Sequence, residues 1–273
     1  MRIHHLNCIS TCPLGGKLMD ERTESLVRRG HLTCHCLLVE TDSTLILIDT
    51  GFGLFDVKNP TSRLSKFFLS LVSPEFREEM TAIRQIERLG LDDFPDAMVH
   101  LLQAERDLAL AQKTWLDRQR FRPQQWTNRG NWVTYQPDQG ESWFGFSRVK
   151  LIKNVPPEIV MIPLVGHTFG HSGVAVREKG AWKLLAGDAY FFYREMNVEH
   201  PWCTPGLRLY QFMLQKDGKS RINNQRRLRT LIQQHHREVT VFCSHDVTEF
   251  EQLSGRSAEL PIEKLTSFDK IAS

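Results

Sequence analysis

Short apolar runs bounded by turn residues recur through the C-terminal half of the chain. Three of them, at 159–165, 182–186 and 239–243, have the composition of buried strands. Each is followed at once by polar residues: His167 in the segment 166–171, Asp188 after Gly187, and His245 between Ser244 and Asp246. Because polar residues at strand ends lie on loops at one edge of a sheet, we predict that two imidazoles and a carboxylate meet there.

The N-terminal half shows a hairpin and then helical periodicity. Segments 32–40 and 44–49 read as two strands joined by a turn at 41–43, followed by a tight turn through Gly51 and Gly53. Residues 75–89 have one apolar face and predict a helix, as do 103–119 and 223–235, with a short strand at 97–102. The pattern therefore predicts an α/β protein.

Length and composition narrow the class. The 273 residues show no repeat or linker, so we expect a single domain spanning 1–273. Hydrophobic residues make up 41% and charged residues 25%, which is ordinary for a soluble globular protein. A net charge of +3 gives no support to a nucleic-acid partner. No apolar segment has the length of a membrane span and the first residues lead into no signal region, so a cytoplasmic location is expected.

Several residue clusters have more than one interpretation at this point. The six cysteines form no CxxC pair and favour buried reduced thiols, although Cys8, Cys12, Cys34 and Cys36 could form a thiolate metal site. The tryptophan-rich stretch 115–143 fits a wall over an apolar substrate or ordinary loop packing. The apolar cluster 67–72 fits an acyl-chain pocket, a dimer contact or the core.

The order of these motifs resembles the metallo-β-lactamase superfamily, in the branch that includes quorum-quenching lactonases and similar small-ester hydrolases. The resemblance rests on residues 47–53 (Leu-Ile-Asp-Thr-Gly-Phe-Gly), 166–173 (Gly-His-Thr-Phe-Gly-His-Ser-Gly), Gly187 with Asp188, and 244–246 (Ser-His-Asp). It covers nearly the whole chain and implies an αββα sandwich.

The resemblance also implies roles for individual residues. His167 matches a ligand of a first metal, Asp188 the carboxylate that bridges two metals, and His245 a ligand of the second. Asp49 matches an acid that orients ligands through outer hydrogen bonds, and His171 a structural position. Zinc is the expected metal, with two ions possible and other divalent metals open.

A hydrolytic function follows from the resemblance. It implies a metal-bound hydroxide that attacks the carbonyl of a small ester, lactone or thioester, with a small-molecule substrate and a possible homodimer. Tyr190, close behind Asp188, could donate its hydroxyl to the substrate carbonyl, as could Tyr193, or both could be packing residues.

One family motif is absent from the sequence. The family has an HxHxDH metal loop after its first long helix, but here residues 92–97 (Asp-Asp-Phe-Pro-Asp-Ala) follow the predicted helix directly. We therefore expect that one strand and the ligand loop have been deleted and that hydrolysis is impaired. The alternatives are a non-catalytic relative that acts as a binding module, and an error in the gene sequence.

Overall fold

The computed structural model describes residues 1–92, 94, 96–126, 131–136 and 138–258. The strands are β1 (Arg2–Asn7), β2 (His35–Glu40), β3 (Leu45–Ile48), β4 (Val99–Leu102), β5 (Trp132–Tyr135), β6 (Glu141–Trp143), β7 (Phe146–Leu151), β8 (Ile159–Pro163), β9 (Ser172–Glu178), β10 (Ala181–Leu185) and β11 (Val239–Phe242). The α-helices are α1 (Lys17–Asp20), α2 (Leu54–Lys58), α3 (Pro60–Arg63), α4 (Lys66–Val72), α5 (Ala82–Arg88), α6 (Gln103–Ala111), α7 (Trp115–Arg120), α8 (Pro205–Leu214), α9 (Gly218–His235) and α10 (Val247–Ser254).

Two sheets form the centre of the molecule. The smaller has the order β1-β2-β3, and the larger has the order β11-β10-β9-β8-β7-β6. Alternate residues of β2 face opposite sides, so Leu37 packs between the sheets against Ile159 and Phe242, whereas Leu38 packs outward with Ile86 of α5. On the far side of the larger sheet, Leu228 and other residues of α9 cover its outer face. The layers are therefore helix, sheet, sheet and helix, which is the predicted αββα sandwich.

The direction of the strands brings three loops to one edge of the larger sheet. β9 is antiparallel to both β8 and β10, and β10 is parallel to β11. The carboxyl ends of β8, β10 and β11 therefore share an edge. The segments that hold His167, Asp188 and His245 leave the sheet at those three ends.

All three predicted helices differ from the structure in their bounds. Residues 75–89 were expected as one helix, but α5 begins only at Ala82, and a 3₁₀ turn at Glu78–Met80 precedes it. The predicted helix 103–119 is two helices, α6 and α7, because Gln112 adopts a left-handed conformation and Thr114 caps the start of α7 with its side chain. In the third case, α9 begins five residues before the predicted start at 223, where Asp217 caps it.

The segment that precedes β4 is the place where the sequence predicts a deletion. Of its residues 89–98, the described ones form no helix or strand, and no histidine occurs between His35 and His100. That a strand and a ligand loop have been lost from this position stays a prediction.

β4 pairs with β5 in a separate parallel two-stranded sheet. Among the described helices, none combines the length and the apolar character needed to cross a membrane.

Candidate active site

Three side chains from the shared sheet edge contact one another directly. The Nε2 atom of His167 lies 3.0 Å from Oδ2 of Asp188. The Nε2 atom of His245 lies 2.9 Å from Oδ1 of the same carboxylate. The structure thus brings together the two imidazoles and the carboxylate that the sequence predicts at these strand ends, with Asp188 in the middle.

The backbone around Asp188 is fixed by His171. This imidazole bonds the carbonyl oxygen of Leu164 through Nδ1 at 2.8 Å and accepts the backbone N–H of Asp188 at Nε2, also at 2.8 Å. Gly187 has a positive φ of 58°, and a Cβ there would lie 2.7 Å from His171 Nε2. His171 therefore joins the loop after β8 to the turn after β10, and Gly187 lets the two approach.

His245 is held from the opposite sheet. Its Nδ1 lies 2.8 Å from the carbonyl oxygen of Thr33, just before β2. The backbone N–H of Thr33 in turn donates to the carbonyl of His245, at 3.2 Å. Because Nδ1 is engaged by a carbonyl, the ring presents Nε2 to Asp188, which is the arrangement found in many metal-binding histidines.

Burial and mutual contact move the three pKa values apart. Burial lowers the pKa of His167 to about 3 against the opposing charge of Asp188. Burial also opposes the charge on His245, but the carboxylate of Asp188 outweighs it and raises the pKa of His245 to about 9. For Asp188, burial would raise the pKa, yet the two imidazoles hold it well below its ordinary value. The carboxylate is therefore ionised throughout the physiological range.

These three residues line a cavity of about 430 Å³ together with Arg120, which contacts the backbone of His167, and we call this part of the cavity its polar end. Its walls come from α4, α7 and α8 together with the turn after β3, and most are apolar: Leu32, Phe52, Leu64, Phe67, Phe68, Val72, Leu116, Phe191 and Leu214. The ring centroid of Phe191 lies 4.5 Å from that of His245, so the phenyl ring packs against this side of the imidazole. A cavity of this size and lining suits a small ligand with an apolar chain.

The two residues predicted to be catalytic lie in different surroundings. Asp49 lines the cavity, at an exposed position with φ 61°, and its Oδ1 accepts the N–H groups of Thr50 (2.6 Å) and Gly51 (3.2 Å). Tyr190 is fully buried away from the cavity, and its hydroxyl donates to Glu249 at 2.8 Å. The structure thus corrects the placement of Tyr190: its hydroxyl supports the protein interior and does not face a substrate.

Sequence reasoning missed two polar residues of the cavity. Arg120 at the end of α7 and Tyr210 of α8 both line it. Burial raises the pKa of Tyr210 well above its ordinary value, and the charge of Asp188 adds to this shift. No motif marks these positions, because each lies far along the chain from the strand ends. All six cysteines are buried free thiols.

The donor set can be compared with what a divalent metal requires. As the three side chains stand, no group of three or more His, Cys, Asp or Glu residues in the described chain is arranged to hold a metal ion. The donor types nevertheless fit, because imidazole and carboxylate are ligands of zinc and related metals. Their number fits one catalytic ion with three protein ligands, and would leave two ions short of donors.

The chain is similar to known proteins both in sequence and in fold. No family model matches the sequence. The "Probable metallo-hydrolase Rv2300c" of Mycobacterium tuberculosis is 32% identical over 268 residues, which cover 90% of this chain and 80% of that protein. A solved N-acyl homoserine lactone hydrolase, with the product N-hexanoyl-L-homoserine at its catalytic metal centre, superposes with a TM-score of 0.65 at 17% identity, covering 94% of this chain and 96% of its own. The dizinc quorum-quenching lactonase AidC gives a TM-score of 0.53 at 13% identity, over 89% and 86% of the two chains.

The solved structures share the fold, and the mycobacterial relative shares sequence along most of the chain. The resemblance drawn from residues 47–53, 166–173, 187–188 and 244–246 is thereby confirmed at the level of family and fold. The chain belongs to the metallo-β-lactamase superfamily of metal-dependent hydrolases.

Proposed function

We propose that this chain hydrolyses a small ester, lactone or thioester with a divalent metal, zinc, held by His167, Asp188 and His245. The observation that carries the proposal is the contact of these three side chains at the polar end of a mostly apolar cavity. Zinc and the lactone class are supported by the lactonases whose fold the chain shares, one of which carries its product at a catalytic metal centre and another of which is a dizinc enzyme.

The number of donors supports one ion in preference to the two that the resemblance implies. Three protein ligands and a water are usual for catalytic zinc, whereas two ions sharing Asp188 would have one histidine each. When bound, such a metal lowers the pKa of water and polarises a carbonyl oxygen, which is the chemistry that ester hydrolysis at neutral pH needs.

The protein's own residues hold and shield this site. Thr33 fixes the ring of His245, and His171 fixes the backbone of Asp188, so neither ligand has to be ordered when a metal or substrate binds. The ring of Phe191 packs against those of His245 and His167, at centroid distances of 4.5 and 6.0 Å, and so covers one side of the site. Asp49 lines the cavity, and for it we propose the role that the family implies, which is to orient a metal ligand through hydrogen bonds.

Metal stoichiometry is the first test. The purified chain is dialysed against zinc and analysed for elemental content beside His167→Ala, with His200→Ala, an exposed histidine outside the cavity, as the control. We expect about one zinc per chain in the parent and in His200→Ala, and a loss in His167→Ala. Zinc-dependent hydrolysis of a panel of lactones and esters should be lost in the same variant.

A binding role without catalysis is the second candidate. It is favoured by the direct contact of His167, Asp188 and His245 with one another, in a chain that lacks an HxHxDH motif. It predicts that the parent chain and both histidine variants are folded, bind no metal and show no turnover. That result would overturn the proposed hydrolase while leaving the cavity as a small-molecule site.

A further inference from the structure

Arg120 is a cation at the polar end of the cavity. It is the last residue of α7 and the one lysine or arginine among the described residues that line the cavity. Its Nη2 donates to the carbonyl oxygen of Leu214 at 2.6 Å, and its Nη1 to that of His167 at 3.4 Å. A guanidinium has five N–H groups, so these two bonds fix the side chain and leave donors to spare.

The charge of Arg120 lacks a carboxylate partner within the described part of the chain. Asp117, one turn earlier, forms an ion pair with Lys216. Glu105 accepts the backbone N–H of Gly170. Asp188 lies between its two imidazoles.

Each of these three acids raises the pKa of Arg120 from a distance, but none of the ion pairs among the described residues includes it. Leaving a partly buried charge without a counter-ion costs free energy, so an anion that enters the cavity would find a ready partner.

The rest of the lining indicates what kind of anion fits. A single guanidinium balances one negative charge, and its planar fork matches the two oxygens of a carboxylate. The wall that leads to it, with Phe67 and Phe68 of α4 and Leu116 of α7, is apolar. A singly charged carboxylate on an apolar chain satisfies both surfaces.

We propose that Arg120 binds a carboxylate at the polar end of this cavity, with the attached apolar chain lying along α4 and α7. The carboxylate has two possible sources. The substrate can carry it as a separate group, or hydrolysis can produce it, since an ester and one water give a carboxylate, a proton and an alcohol. Both sources rest on the proposed hydrolase function, whereas the binding of a carboxylate by Arg120 does not.

Calorimetric titration tests the carboxylate site without turnover. Sodium hexanoate and the neutral, equally long hexanamide are titrated into the protein, with and without prior removal of metal by a chelator. We expect hexanoate to bind about tenfold more tightly than hexanamide in both states. Equal affinity for the two ligands overturns the proposal, and this comparison needs no variant.

Variants of α7 assign the preference to Arg120. Arg120→Gln should reduce the preference for hexanoate to about twofold or less, whereas Arg118→Gln, an exposed arginine two residues earlier, should keep it. Arg120→Lys keeps the charge and should retain part of the preference if Arg120→Gln fails to fold. A full preference in folded Arg120→Gln overturns the assignment.

Two esters distinguish the sources of the carboxylate. If the substrate carries it, Arg120→Gln raises the KM of monomethyl adipate about tenfold and leaves that of methyl hexanoate unchanged. If hydrolysis produces the carboxylate, Arg120→Gln leaves both KM values unchanged and weakens product inhibition by hexanoate about tenfold. A hexanoate preference without hydrolysis of any ester refutes the proposed function alone, and hydrolysis without the preference refutes this inference alone.

Discussion

The position of Tyr190 allows a sharp test of how the site is divided between chemistry and support. Tyr190→Phe removes one hydroxyl from a fully buried ring and leaves the ring itself in place. That hydroxyl donates to Oε1 of Glu249 at 2.8 Å, while Oε2 accepts the backbone N–H of Cys243, also at 2.8 Å. The change therefore leaves one carboxyl oxygen of Glu249 without its donor.

The magnitude follows from burial. Leaving a buried acceptor unsatisfied costs about 1–3 kcal/mol, and the lost hydroxyl no longer has to be desolvated, so we expect roughly 1–2 kcal/mol. For a chain of this length the corresponding fall in Tm is roughly 2–6 °C. Zinc content and kcat/KM should stay within about twofold of the parent, because the hydroxyl does not face the cavity.

Thermal unfolding and metal analysis of the same samples provide the assay. Tyr193→Phe is the matched control, since Tyr193 belongs to the same segment but is 40% exposed and should change the stability by less than about 0.5 kcal/mol. A Tyr190→Phe protein with the parent Tm and a tenfold or greater loss of kcat/KM would refute this reasoning and restore the catalytic role predicted from the sequence.

Two further predictions concern the supports of the site. His171→Ala removes the link between Leu164 and the backbone of Asp188, and should weaken zinc binding about 10–100-fold in a chelator-competition titration; unchanged affinity would mean that the link does not position Asp188. Burial, followed by the charge of Asp246, raises the pKa of Glu249 to about 8, so between its unfolded value of 4.5 and pH 8 the folded chain holds a proton that the unfolded chain has released. The free energy of unfolding of the metal-free protein should therefore fall as the pH rises, by about 1.5 kcal/mol from this group between pH 6.5 and 8. Glu249→Gln should flatten this dependence of the unfolding free energy on pH, as measured by urea denaturation.

The sequence predicted those parts of the molecule that local patterns determine. Apolar runs ending in His167, Asp188 and His245 identified three strand ends, and the parallel direction of those strands brings the ends to one edge. The helix expected over 75–89 failed because an apolar spacing persists through residues that take a 3₁₀ turn before Ala82. Helical periodicity does not show at which residue the backbone begins to form i to i−4 hydrogen bonds.

The cavity could not be predicted in the same way. Arg120 reaches the site because α7 packs beside the loop that carries His167, a contact between residues 47 positions apart. Tyr190 is only two residues from Asp188, yet it points into the interior, since the 3₁₀ turn at Gly187–Ala189 ends between them. A residue close in sequence to a strand end can therefore be expected to lie near this edge of the sheet. Its position in the sequence does not predict whether its side chain faces the cavity or the interior.

The two sides of this edge treat a partly buried carboxyl group in opposite ways. Asp188 faces two imidazoles, which hold its pKa well below the ordinary value despite burial. Glu249 faces a phenol and a backbone N–H, with the charge of Asp246 nearby, and its pKa rises to about 8. Neutral donors cannot offset the desolvation of a carboxylate as well as imidazoles that share a proton with it. The charged carboxylate is thus kept on the cavity side, where a metal or substrate can use it, and the neutral one serves as a hydrogen-bonding support behind it.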